Sequence, residues 1–153
     1  MYKKIFFVFC LLSQFCVAKP ISGQISYENV INEFMGAWEV TSMQTYTSNE
    51  EYKTSINIDY WTLEKNDNNI TLKNPISNAI ASITIDEVVD KTLKFKKISN
   101  ENLEKVTEMP TITINGNTFV GHDTILIEKY DKNGNLSDKS RVEFKLYGVK
   151  IKE

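Results

Sequence analysis

Apolar and polar residues alternate along most of this chain, with one exception near its start. Tyr27, Val30, Ile31 and Phe34 fall at i, i+3, i+4 and i+7, on one face of a helix. Ser26 ahead of them offers an N-cap hydroxyl and Gly36 behind them a stop. From Gly36 onward the period becomes two. Trp38-Glu39-Val40-Thr41 alternates. Ile56, Ile58 and Tyr60 then alternate with Ser55, Asn57 and Asp59, and Trp61 and Leu63 prolong the second face. Residues 70–72, 79–85, 92–98 and 103–109 read as further strands, with turn residues Asn66 to Asn69 before them and Pro110 ending the last. Thr111 to Ile114 and Asn117 to Val120 flank Asn115-Gly116, whose readiness for positive φ makes a tight hairpin. Asp123 to Tyr130 and Arg141 to Tyr147 flank a second tip, Asp131 to Asn135; the closing strand alternates Val142, Phe144 and Leu146 with Arg141, Glu143 and Lys145.

Short strands spaced by turn residues, without long crossovers, repeats or linkers, predict one all-β domain over residues 25–153. The expected architecture is an antiparallel up-and-down β-barrel of about eight to nine strands, preceded by one short N-terminal helix. An open sandwich or a sheet-plus-helix fold is the competing arrangement.

Residues 1–18 follow a different logic. Lys3 and Lys4 precede the apolar run Ile5 to Leu12, and Cys16-Val17-Ala18 ends in a small residue. This is the layout of a signal peptide cleaved after Ala18, so the protein is expected to be secreted or periplasmic. The apolar stretch, broken by Ser13 and Gln14, falls short of the roughly 20 residues that cross a bilayer. Lipidation at Cys10 or Cys16 is disfavoured by the bulky phenylalanine directly before each. Residues 19–24 form a polar leader, expected to be flexible.

Composition narrows the function. The chain has 153 residues, 18 Lys+Arg against 20 Asp+Glu, one histidine and two cysteines. Removing residues 1–18 takes away both cysteines and two lysines, so the mature chain carries no disulfide and a net charge near −4. Such a balance argues against nucleic acid and other anionic partners. Lysine outnumbers arginine 17 to 1 and asparagine occurs 15 times, a bias of AT-rich bacterial genomes. Little material exists for catalysis or metal binding. His122 adjoins Asp123, but neighbours on a strand face opposite ways, and no mature cysteine or Gly-x-Ser-x-Gly turn accompanies it. Asp131-Lys132-Asn133-Gly134-Asn135 opens like a calcium loop, yet Leu136 and Val142 occupy the positions that should hold Gly and Glu. Glu50-Glu51, Asp86-Glu87 and Glu101/Glu104 read as surface charge. No catalytic residue, metal or cofactor is expected.

Phe34-Met35-Gly36-Ala37-Trp38-Glu39-Val40 resembles the N-terminal signature of lipocalins and related calycin barrels, in which a short helix leads into Gly-x-Trp at the first strand. The resemblance implies that Trp38, after Gly36, closes one end of the barrel. It also implies an arginine lying over that tryptophan. Arg141 begins the last strand and should lie far from Trp38, so Lys150 or Lys152 is the better candidate. The family's middle Thr-Asp-Tyr loop motif has no counterpart here.

In a barrel, inward positions near the open end form the ligand cup. On the strand 55–63 either Ile56, Ile58 and Tyr60 or Asn57, Asp59 and Trp61 with Leu63 faces inward; the first, more apolar set is expected inside, leaving Trp61 outside. Val40, Leu72, Ile83, Ile85, Leu93, Phe95, Ile112, Ile114, Phe119, Ile125, Ile127, Val142, Phe144 and Leu146 are the other inward candidates. The expected ligand contacts are Tyr46, Ile56, Ile58, Tyr60, Phe95, Phe119 and Phe144, around either a cavity or a filled interior. The leading expectation is a monomeric, non-enzymatic binder of a small hydrophobic molecule. The alternative is a module that docks another protein, an envelope component or a protease, through Trp61 and the Tyr46–Tyr52 segment. An enzyme on the same scaffold would need His122 beside two buried carboxylates in a deep pocket.

Overall fold

A computed structural model describes residues 30–66 and 69–151. The signal segment 1–18, the leader 19–24, Ser26 and Tyr27 of the expected helix, and Lys152 lie outside the described residues. Helix α1 covers residues 30–34. Nine strands follow: β1 Gly36–Thr47, β2 Ile56–Asn66, β3 Asn69–Lys73, β4 Ile80–Val89, β5 Thr92–Glu101, β6 Glu104–Glu108, β7 Thr111–Asn115, β8 Thr118–Tyr130 and β9 Leu136–Lys150.

The strands form a closed antiparallel barrel, in which sequence neighbours pair except β6 with β7, and β9 returns to pair with β1. β6 and β7 lie end to end along one stave, since both pair with β5 on one side and β8 on the other. Nine strands therefore make eight staves. The break falls at Met109-Pro110, where proline has no N–H to give the ladder. Its carbonyl still accepts from Phe95 N–H at 3.1 Å, and Met109 N–H reaches Thr124 carbonyl at 3.0 Å.

The segments expected as separate strands 117–120 and 123–130 are one strand, β8. Gly121 lies between them, and a Cβ there would stand 2.2 Å from the Thr111 carbonyl oxygen. Only glycine lets β8 run this close to β7, so a residue that reads as a breaker keeps the strand continuous.

One end of the barrel is shut. Phe34 and Ile31 of α1 are buried against Trp38, whose Nε1–H donates to the Phe34 carbonyl at 2.9 Å. Gly36, at φ +111°, turns the chain from helix into strand. Lys150 Nζ sits 5.2 Å from the centroid of the Trp38 ring and donates to the Glu33 carbonyl at 3.0 Å. The expected cation is thus Lys150. Arg141, at the far end of β9, pairs instead with Glu143 at 2.6 Å.

Above Trp38 lies an aromatic layer. The Phe119 ring stands 5.1 Å from Trp38 and 6.1 Å from Trp61, and Trp61 meets Phe95 edge-on at 6.4 Å. Gly148 faces Phe119 across the β8–β9 ladder and leaves room for its ring. Val40, Leu63, Leu93 and Ile112 are among the other fully buried side chains of the core.

Candidate functional site: a polar-lipped cup in the barrel

Above the aromatic layer the barrel opens into a cavity of about 530 Å³. Its walls combine Trp61, Leu72, Phe95, Phe144 and Leu146 with the polar side chains Asn57, Asp59, Asn74, Lys97, Glu108 and Asp123. β3 is short, so the β3–β4 connection dips at the mouth, where Asn74, Ser77 and Ala79 join the lining. The β1–β2 connection is strapped down by Gln44, whose Nε2 donates to Tyr52 carbonyl at 2.8 Å and whose Oε1 accepts from Thr54 N–H at 3.0 Å.

The facing of β2 corrects the sequence expectation. Trp61 pairs directly across from Trp38, and Leu63 from Leu72, all four buried. Period two then turns Asn57 and Asp59 inward, and Ile56 (63% exposed), Ile58 (58%) and Tyr60 outward. The large aromatic at the dry end sets the register, and local apolar content at the wet end does not override it. Tyr60 hydroxyl donates to Glu39 at 3.2 Å on the outer wall, and this bond to a carboxylate makes the Tyr60 phenol hold its proton more firmly than usual. Tyr46 is 49% exposed, just past a bulge at Gln44–Tyr46 in the β1–β9 ladder. Of the expected contacts, Phe95 and Phe144 line the cup, and Phe119 lies in the layer beneath it. Tyr46, Ile56, Ile58 and Tyr60 stand outside.

Four ionisable groups line the cup, of which only Asp59 belongs to a face weighed as inward from the sequence. Asp59 accepts from Trp61 Nε1–H at 3.1 Å, from Tyr60 N–H at 2.8 Å and from the Asn74 amide. Lys97 and Glu108 face each other across the β5–β6 ladder and pair at 2.6 Å. Asp123, only 5% exposed, accepts from Met109 N–H at 3.0 Å at the proline break. Burial foremost, and then Glu108, push its carboxyl up to about 7, against the lowering by Met109 N–H and Lys97. Three of them were legible by parity. Asp59 shares the face of Trp61; Lys97 that of Leu93 and Phe95; Asp123 that of Phe119 and Ile125. Glu108 follows from its pairing with Lys97.

His122, next to Asp123, is exposed on the outer wall between Thr111 and Lys145. The histidine and the cavity carboxylates are on opposite faces, as adjacent strand residues must be. Asp131 is spent on its own turn. It accepts from Asn133 and Asn135 N–H at 2.8 and 2.9 Å, and these bonds, Asn135 first, hold its carboxyl below the usual range.

A closed antiparallel meander, floored by a helix and hollow toward the other end, defines a calycin-compatible cup. Compared with protein-family models, with curated protein sequences and with solved structures, the chain has no match. No helix among the described residues is long and apolar enough to cross a membrane.

Proposed function

We propose that this protein is an exported, non-enzymatic, lipocalin-like carrier that takes a small hydrophobic molecule into the barrel. The cavity of about 530 Å³ walled by Trp61, Phe95 and Phe144 carries this reading, because it falls within the range of ligand pockets. The Gly36-Ala37-Trp38 entry, the helix beneath it and Lys150 over the indole support the family likeness. Export rests on the pattern of residues 1–18. Binding comes from burying the ligand's apolar surface, at about 25 cal/mol per Å². Native mass spectrometry of purified protein, with and without added apolar probes, tests the reading. Stoichiometric uptake is expected, and lost when Ala81→Trp fills the cup. Absence of uptake for neutral, cationic and anionic probes alike would sink it.

A second reading has its own observation. Ile58, Thr41, Tyr147 and Val120 form a continuous outward row across β2, β1, β9 and β8, with Ile56 and Met43 beside it. A docking module would use this wall. The Trp61 patch expected for that role does not form, because Trp61 lies inside.

A further inference from the structure

The cup is chemically lopsided. Among the described residues three carboxylates, Asp59, Glu108 and Asp123, line it against one ammonium, Lys97. Lys97 is already engaged by Glu108 at 2.6 Å. Among the described residues Asp59 is held only by neutral donors, the Trp61 indole, the Asn74 amide and Tyr60 N–H. Asp123 takes the neutral Met109 N–H, and no ion pair reaches it among the described residues. Two carboxylates thus border one cavity without a cationic partner, and Asp123 does so while nearly sealed from solvent. In so low a dielectric an uncompensated negative charge is costly, and a cation entering the cavity relieves it. An incoming carboxylate meets the same field with the opposite sign, and the one lysine is occupied. Trp61, Phe95 and Phe144 offer an apolar body contact beside these charges, and aromatic faces add attraction for an ammonium.

Resting on the carrier reading, we propose that the cup selects an amphiphile with a positively charged amine head. Asp123 and Asp59 hold the head, and Trp61, Phe95 and Phe144 hold the apolar body. Fatty acids are the disfavoured class. Acidification weakens the preference as Asp123 takes up its proton; the charged groups facing it are Asp59 from β2, Lys97 from β5 and Glu108 from β6, while β9 offers uncharged Phe144 and Leu146.

The test is calorimetric titration with three probes of equal chain length, decylamine, decanol and decanoate, at about pH 8, where the amine is cationic and Asp123 ionised. Decylamine is expected to bind roughly tenfold tighter than decanol or better, and decanoate more weakly than both. Asp123→Asn should pull the amine-to-alcohol ratio toward one, chiefly by weakening decylamine. Asp59→Asn should do the same in part. Decanoate binding as tightly as decylamine would overturn the selection while the carrier reading survives. So would an undiminished amine preference in both variants. Failure of all three probes, decanol included, would overturn the carrier reading itself.

Discussion

Replacing Gly148 by alanine adds a single methyl group and should disturb the whole floor of the cup. An added Cβ would stand 2.1, 2.3 and 2.5 Å from three carbons of the Phe119 ring. Ordinary contact begins near 3.4 Å, so ring and backbone must separate by about 1.3 Å. Retreat is blocked on two sides, by Trp38 at 5.1 Å and by Trp61 at 6.1 Å between ring centroids. Overpacking of this kind costs about 1–3 kcal/mol, and the pinned ring places the change at the upper end. Phe119→Leu alone should destabilise by removing ring contacts, yet it opens the space the new methyl needs. The methyl should therefore cost much less in the Phe119→Leu background, and the cycle should return a coupling of about 1–2 kcal/mol. Urea denaturation followed by tryptophan fluorescence is the assay, because both tryptophans of the chain flank Phe119. The midpoint should fall with the slope unchanged. An alanine variant within about 0.5 kcal/mol of the parent, or a penalty that persists without the ring, would refute the packing argument.

Asp123 makes stability depend on pH in an unusual direction. Its folded value of about 7 stands above the unfolded one, so its contribution is complete below about pH 4 and is lost as pH rises through 7. A loss on the order of 4 kcal/mol across that window is expected in the parent and absent from Asp123→Asn; parallel curves would contradict it. Lys150→Ala removes the cation over Trp38 and the bond to Glu33 carbonyl, and should cost about 1 kcal/mol in urea, with a change in Trp38 emission. Asp131→Ala should speed hydrogen exchange at the Asn133 and Asn135 amides and leave the β1–β2 ladder protected.

The barrel could be read from the chain because its evidence is redundant. The helix stripe, Gly36 before Trp38, the Asn115-Gly116 turn and the alternation through Leu146 all demand the same meander. The facing of β2 was harder. Ile56, Ile58 and Tyr60 outnumber Trp61 and Leu63 locally, but a barrel with a wet mouth and a dry base does not count residues evenly. Trp61 facing Trp38 at the base decides the face for the entire strand. Asp59 stood on the less favoured face, and Asp123 escaped notice, for a related reason. An acidic residue in an alternating strand suggests the solvent side, and only the parity inherited from Trp61 or Phe119 reveals that it points into the cavity. That Pro110 interrupts a stave without ending it also lies beyond local pattern, since Phe95 and Met109 keep the ladder joined from neighbouring strands.

The pairing of β1 with β9 bears on how the molecule comes into being. The first strand finds its second partner only in the fifteen residues of β9, near the end of the described chain. Until that segment emerges from the ribosome, β1 and β8 each have a bare edge and the ring cannot shut. Loop closure across nearly the whole domain must come late, which makes slow folding the expected behaviour. A chain that cannot close its barrel until β9 is free stays threadable at least until that strand has been made.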